Sequence, residues 1–179
     1  YKNFNLSLQY EIMIQCFANI TFLAIPAILM ANNSTNSIST LELIGVGLWA
    51  TWFVLEHISD LQKQQFLKKA FLEKKKKQVC NVGFWKYTRH PNYFSEWMVW
   101  NAMIISSLSS LIIAFSTDQQ VVWTIICIGL FYISYIMYTT LVYYTGAVPS
   151  EFYTLQKRPN YKAYQEQTNM FFPGPKKLN

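Results

Sequence analysis

The sequence GFWKYTRHPNYFSEWMVW, residues 83–100, joins a lysine-rich segment to an apolar run. It carries Arg89, His90, Asn92 and Glu96 within eight residues. Polar groups at the mouth of a membrane segment are costly, and they usually serve a binding site or a pairing network. This stretch is therefore the first candidate for a functional site.

Pro91 predicts where a helix begins in this stretch. Proline lacks an N–H, suits the first helical turn and disfavours helix at the residue before it. The helix should then run from Asn92, with Asn92 and Glu96 on one face and Arg89 and His90 just outside. A cation, an imidazole and free N–H groups at a helix start suit a phosphate or carboxylate ligand. The alternative is an interfacial anchor, in which arginine and tyrosine reach the lipid headgroups.

Composition indicates a membrane protein. The chain has 179 residues, of which 52% are hydrophobic and only 13% charged, against about 25% charged in soluble domains. Its three cysteines form no CxxC pair, so we expect neither a disulfide framework nor a metal site. There is no nucleic-acid-binding motif, and the basic run at residues 74–77 is typical of a surface near anionic headgroups.

The apolar runs predict an all-α, polytopic membrane helical bundle forming one domain over residues 1–179. We expect about four transmembrane helices and a C-terminal interfacial helix. The predicted segments are spans at residues 12–31, 41–58, 97–115 and 121–144, a basic loop at 61–94, and an interfacial segment at 146–179.

Charge predicts the orientation of these spans. Every lysine and arginine lies at the N-terminus, in the second connection or after the fourth span. With four spans these three regions share one side of the membrane, and the positive-inside rule makes it the cytoplasmic or matrix-equivalent side. The sequence does not distinguish the endoplasmic reticulum from a mitochondrial or bacterial inner membrane.

Polar residues on the basic side predict a ligand cavity. Its candidate groups are Glu56, Asp60, Gln62, Arg89, His90, Asn92, Tyr93, Glu96, Glu151 and Tyr164. Arginine suits phosphate, carboxylates accept from ribose hydroxyls, and an asparagine can recognise an amide. This inventory fits a nicotinamide dinucleotide and also S-adenosylmethionine. The sequence has no glycine-rich GxGxxG fingerprint, which excludes a Rossmann route to a dinucleotide.

The motif Arg-His-Pro-Asn-Tyr-Phe-x-Glu, preceded by Gly-x-Trp-x-Tyr, resembles the C-terminal half of the steroid 5-alpha-reductase-like membrane proteins, including the DUF1295 family. Sterol reductases and isoprenylcysteine carboxyl methyltransferases carry looser versions. The resemblance covers roughly residues 15–173, and the further residues that carry it are Glu56, Asp60, Gln62, Phe66, Gly146, Glu151, Tyr161, Tyr164 and Thr168.

This resemblance implies an NADPH-dependent reductase that acts on a carbon–carbon double bond of a steroid or other lipidic enone. The cofactor-binding candidates are Asp60, Gln62, Arg89, His90, Asn92, Tyr93, Glu96, Glu151 and Tyr164. No catalytic proton donor is assigned, and Tyr93 and Glu96 are the weak candidates. Ser95 stands where the family usually has glycine, and we expect its side chain to lie close to the ligand.

Two other functions remain open. One is a catalytically inactive accessory subunit of a larger membrane assembly, such as a respiratory complex. The family usually has further helices upstream, and a mature chain that began at Tyr1 would favour this role. The other is an S-adenosylmethionine-dependent methyltransferase acting on isoprenylcysteine or a lipid. Expected partners are the bilayer, a lipidic substrate and other subunits, and the substrate and oligomeric state stay undetermined.

Overall fold

The computed structural model describes residues 9–177 except 11, 15, 18–19, 21–23, 34–36, 76, 116–118 and 159. The described residues are helical and include no strand. The helices are α1 (Ala24–Ala31), α2 (Thr40–Leu72), α3 (Pro91–Ala114), α4 (Gln120–Thr139), α5 (Ala147–Lys157) and α6 (Tyr161–Gln167), with a 3-10 turn at Gly83–Lys86 and a π-helical turn at Thr140–Tyr144.

Three helical segments are long and apolar enough to cross a membrane: Thr40–Leu72, Pro91–Ala114 and Gln120–Lys157. They contain the spans predicted at residues 41–58, 97–115 and 121–144, apart from the last residue of the second. The prediction of an all-helical, polytopic membrane protein is confirmed. The span predicted at residues 12–31 lies partly outside the described residues. Helix α1 forms its C-terminal end.

Helix α2 differs from the prediction at its C-terminal end. The basic loop was expected from residue 61, but the helix continues to Leu72. Its last twelve residues, LQKQQFLKKAFL, are almost all good helix formers, so nothing in them ends the helix where the apolar run ends.

At the N-terminal end of α2, Ser39 and Glu42 form a reciprocal cap. Ser39 N donates to Glu42 Oε2 at 2.7 Å, and Glu42 N donates to Ser39 Oγ at 3.2 Å.

The chain divides into two compact units, residues 1–46 with 100–134 and residues 47–99 with 135–179. In the first unit Gly45 approaches Ser106 so closely that a Cβ at Gly45 would lie 2.6 Å from the Ser106 backbone nitrogen. A side chain at residue 45 would therefore separate these two helices. Asn101 Oδ1 accepts a hydrogen bond from Ser134 Oγ at 2.7 Å in the same unit.

The second unit contains every candidate site residue. Its buried core is Leu141, Val142 and Phe171, and aromatic rings of α3 and α4 pack around it. Phe171 is only 3% exposed and its ring centroid lies 5.1 Å from that of Tyr138. The C-terminal segment therefore packs back on the helices of this unit.

Candidate functional site

The loop that precedes α3 is held to α2 by two hydrogen bonds. Gln62 Oε1 accepts from Phe84 N at 2.9 Å, and Trp85 Nε1 donates to the Ser59 carbonyl at 2.9 Å. Gly83 enters the 3-10 turn with φ +53°, a conformation that favours glycine, and the Gln62 amide lies where a Cβ would be. Gln62, a predicted cofactor ligand, thus accepts from the loop backbone through its Oε1, and its role toward a cofactor stays a prediction.

Arg89 is buried and forms a forked ion pair with Glu151. Its Nε donates to Glu151 Oε1 at 2.6 Å and its Nη2 to Oε2 at 3.1 Å. Its Nη1 donates to the carbonyl oxygens of Gln165 and Thr168. These bonds use four of the five guanidinium N–H groups. Arg89 therefore ties the start of α3 to α5 and to the chain after α6.

The remaining donors complete the shell of the Glu151 carboxylate. His90 Nε2 lies 2.9 Å from Glu151 Oε1, and Gln165 Nε2 donates to Oε2 at 2.5 Å. Because a carboxylate only accepts, the contact with His90 requires the Nε2–H tautomer. The His90 ring also stacks on Tyr93, with centroids 5.3 Å apart. We call Arg89, His90, Glu151 and Gln165 the Glu151 network.

Further hydrogen bonds join the same loop to the C-terminal segment. The Tyr164 hydroxyl donates to the Trp85 carbonyl. Thr88 Oγ1 contacts the carbonyls of Met170 and Phe171 at 3.1 and 2.9 Å. Tyr164 is therefore a structural donor in this unit. Sequence reasoning missed Thr88 and Gln165, because a threonine in a loop and a glutamine on an amphipathic helix give no signal of their distant partners.

Burial controls the ionisation of the loop's partners. It raises the pKa of Tyr164, which stays a neutral donor, and it raises the pKa of Tyr161 with a further contribution from the Glu151 charge. Burial also lowers the pKa of His90, against the opposing effect of Glu151. Both tyrosines and His90 are thus neutral around pH 7.

A second polar region lies on α2 and α3 and is built differently. The carboxylates of Glu56 and Asp60 on α2 interact electrostatically with Glu96 on α3, and Glu96 and Asp60 also interact with Tyr93. All three acids are half-buried. Among the described residues none of them forms an ion pair, although Lys63 interacts with Asp60 at longer range. We call Glu56, Asp60 and Glu96 the carboxylate cluster.

Asn92 adds an unpartnered acceptor to the face of α3 that carries Glu96. Its Oδ1 atom is buried and has no hydrogen-bond partner among the described residues. Leaving such a group unpaired costs about 1–3 kcal/mol, so each case calls for an explanation such as a missing ligand. The spacing of Asn92 and Glu96 predicts this shared face.

An apolar cleft of about 280 Å³ opens beside the start of α3. It is lined by Trp52, Leu55, Ser59, Phe84, Tyr87, Thr88, Pro91, Phe94, Ser95 and Pro173. Ser95, expected beside the ligand, lies in this lining and is 3% exposed. Residues 92 and 95 are three positions apart on α3, so Ser95 lies next to the face that carries Asn92.

The described residues fit the nicotinamide end of NADPH better than its phosphates. Three carboxylates and an unpartnered amide oxygen are acceptors for the ribose hydroxyls and the carboxamide N–H of its nicotinamide end. The phosphates need cations, and Arg89 has at most one N–H left. The prediction that Arg89 and His90 hold the phosphates stays a prediction. Among the described residues no group of three or more histidine, cysteine or acidic side chains could hold a metal ion.

The fold and this site define a polytopic helical membrane protein with a buried polar centre at one end of its helices. The family model described as "Protein of unknown function (DUF1295)" matches residues 3–168. The chain therefore belongs to the DUF1295 family, as its motifs predicted. No curated protein and no solved structure matches it significantly.

Proposed function

We propose that this protein is a membrane-embedded, NADPH-dependent reductase acting on a carbon–carbon double bond of a lipidic enone. The observation that carries the proposal is the Oδ1 of Asn92, which is buried, has no hydrogen-bond partner among the described residues and lies on the face of α3 that carries Glu96. A site rich in acceptors and poor in donors is complementary to the hydroxyls and carboxamide of a nicotinamide riboside. The cofactor would supply the hydride.

Each residue of the site has a separate role in this proposal. Asn92 accepts from the carboxamide, and Asp60 and Glu96 accept from ribose hydroxyls. Arg89 and His90 are positioning residues, because their bonds to Glu151 fix the chain that leads directly into Asn92. Tyr93 is the candidate proton donor. Its ring stacks on His90 of the Glu151 network, and it interacts electrostatically with Glu96 and Asp60 of the carboxylate cluster.

The first experiment measures NADPH binding to the purified full chain by tryptophan fluorescence. The unaltered protein should respond saturably, and Asn92→Leu should weaken binding about two- to tenfold, the worth of one hydrogen bond. Asn81→Leu is the matched control. Asn81 also has a buried, unpartnered Oδ1, but it lies beside a different cavity. Equal losses in both variants would contradict the proposal.

A methyltransferase is the second candidate. The carboxylate cluster favours it, because none of its members forms an ion pair among the described residues. S-adenosylmethionine carries a sulfonium and an ammonium group, which three carboxylates without an ion-pair partner would attract. The same titration separates the two functions. A saturable response to S-adenosylmethionine without one to NADPH, abolished by Glu96→Gln, would replace the reductase.

An accessory role is the outcome if neither cofactor binds. The ion pair between Arg89 and Glu151 supports an accessory role, because the most strongly basic group of the motif then stabilises the fold. In that case the partners are other subunits of a membrane assembly. The readout is co-purification with a larger complex from the native membrane, with no change in either cofactor titration.

The orientation of the helices also belongs to this proposal. The basic residues after α2 and the C-terminus face the cytoplasmic or matrix-equivalent side, because lysine and arginine are retained there. Single cysteines at Lys74 and Lys176 should react with a membrane-impermeant reagent from one side, and a cysteine at Ile38 from the other. Labelling of Lys74 and Lys176 from opposite sides would contradict this orientation.

A further inference from the structure

A second cleft, separate from the site above, lies at the C-terminal end of α2. Its volume is about 760 Å³, and it is lined by Leu67, Ala70, Phe71, Leu72, Lys74, Lys75, Lys77, Gln78 and Arg158. One wall is therefore the apolar end of a helix and the rim is cationic. The lining contains no acidic residue. Clefts of this size commonly hold one small ligand.

The apolar wall of this cleft is unusually exposed. Phe71 is 83% exposed and Leu72 is 71% exposed, while the neighbouring Ala70 is buried. Single exposed apolar residues are ordinary, but two adjacent ones at the edge of a cleft form a contact surface. The wall is therefore suited to an apolar chain that covers it.

The cationic rim is mostly uncompensated. Lys75 forms an ion pair with Glu73 at 2.8 Å. Lys74, Lys77 and Arg158 have no ion-pair partner among the described residues. Three unpaired positive charges beside an apolar wall are complementary to one anionic group attached to an apolar tail.

The position of the cleft along α2 shows on which side of the bilayer surface it lies. The predicted apolar span ends at residue 58, and residues 67–72 lie nine to fourteen positions further. At 1.5 Å per residue this is roughly 13–21 Å along the helix. The headgroup layer of one leaflet is only about 5–8 Å thick. The cleft therefore lies on the aqueous side of the bilayer surface.

We propose that this cleft binds an anionic single-chain amphiphile, such as a fatty carboxylate or alkyl phosphate, that arrives from the aqueous side. The tail covers Leu67, Phe71 and Leu72, and the anionic head lies between Lys74, Lys77 and Arg158. This assignment is independent of the cofactor proposed for the first site, because the two share no lining residue.

The test uses the full chain in phosphatidylcholine nanodiscs and a photo-activatable diazirine fatty acid. Crosslinks mapped by mass spectrometry should fall on the peptide that contains residues 67–78. The corresponding fatty alcohol, which has the same tail and no charge, should label this peptide at least several-fold less. Equal labelling by acid and alcohol, or labelling confined to the spans, would overturn the proposal.

Matched variants separate the cleft from general surface charge. The triple variant Lys74→Gln, Lys77→Gln, Arg158→Gln should lower labelling roughly tenfold, at about two- to threefold per charge. The control triple Lys162→Gln, Lys176→Gln, Lys177→Gln removes the same charge from exposed positions outside the lining. It should leave the labelling in place, and an equal loss would mean diffuse attraction instead of a site.

Two further arms identify the source of the ligand. Inorganic phosphate at millimolar concentration should not compete, because the apolar wall contributes to binding. Nanodiscs containing about 30% phosphatidylglycerol should also leave labelling unchanged. Competition by phosphate alone would make this an anion site, and competition by phosphatidylglycerol would make it a site for a bilayer lipid. Either result would replace the proposed ligand.

Discussion

The Glu151 network and the carboxylate cluster are both polar regions of the second unit, but their carboxylates have opposite surroundings. Glu151 accepts from Arg89, His90 and Gln165, so a buried carboxylate is surrounded by donors. Glu96 interacts electrostatically with two further acids, and the Oδ1 of Asn92 has no hydrogen-bond partner within the described part of the chain. A polar group that the protein satisfies serves the fold, whereas one that it leaves unsatisfied is available to a ligand.

The largest effect should come from removing the cation of the satisfied region. Arg89→Ala leaves Glu151 buried and poorly compensated, which typically costs about 3–5 kcal/mol of stability. Thermal or denaturant unfolding of the purified protein measures it. Arg158→Ala is the control, since Arg158 has no ion-pair partner among the described residues. Similar losses in both variants would remove the distinction between the two regions.

Tyr164→Phe tests the bond between the loop and α6. It removes the donor to the Trp85 carbonyl and leaves that buried oxygen unsatisfied, at a cost of about 1–3 kcal/mol. Tyr87→Phe is a matched change at an exposed tyrosine and should cost little. A Tyr164→Phe protein as stable as the parent would show that water satisfies the carbonyl.

The pH dependence of stability tests the neutral state of His90. Burial lowers its pKa in the folded protein, so below about pH 6.5 the unfolded state binds more protons than the folded state. The contribution of His90 to stability should therefore fall as the pH falls from 7 towards 5, by at most about 1.4 kcal/mol per pH unit for one proton, and it is measured as the difference between the profiles of the parent and His90→Gln.

His90→Gln should flatten this part of the stability profile, because it removes the titrating group. His57→Gln is the control, since His57 is the exposed histidine of α2. The readout is the melting temperature of each variant measured across the pH range. A profile that keeps its slope in His90→Gln would assign the titration to another group.

The smallest effect, and the one of opposite sign, is expected in the unsatisfied region. Asn92→Leu removes a buried acceptor without a partner and should stabilise the ligand-free protein by roughly 1 kcal/mol. Asn101→Leu is the comparison, because the Asn101 amide is paired with Ser134 and its loss should destabilise. Destabilisation by Asn92→Leu would mean that the protein itself satisfies this amide.

The helices of this protein could be predicted from the sequence because hydropathy and the residues that mark helix boundaries, such as proline, are local properties. Pro91 marks the start of α3, and the apolar runs mark the three membrane-crossing segments. The extension of α2 to Leu72 escaped prediction, since the expected loop was placed where apolarity ends and helix propensity continues. The prediction of a single membrane domain stays a prediction.

The candidate residues were also identified by the sequence, but their roles were not. Motif and spacing named Arg89, Asn92, Glu96 and Glu151 without saying which of them meet. Only the tertiary structure pairs Arg89 with Glu151, 62 positions away. It also leaves the Oδ1 of Asn92 without a hydrogen-bond partner among the residues that the structure describes. The physical reason is that ionisable side chains carry the same chemistry everywhere, whereas burial and distant partners determine whether that chemistry stabilises the fold or remains free for a ligand.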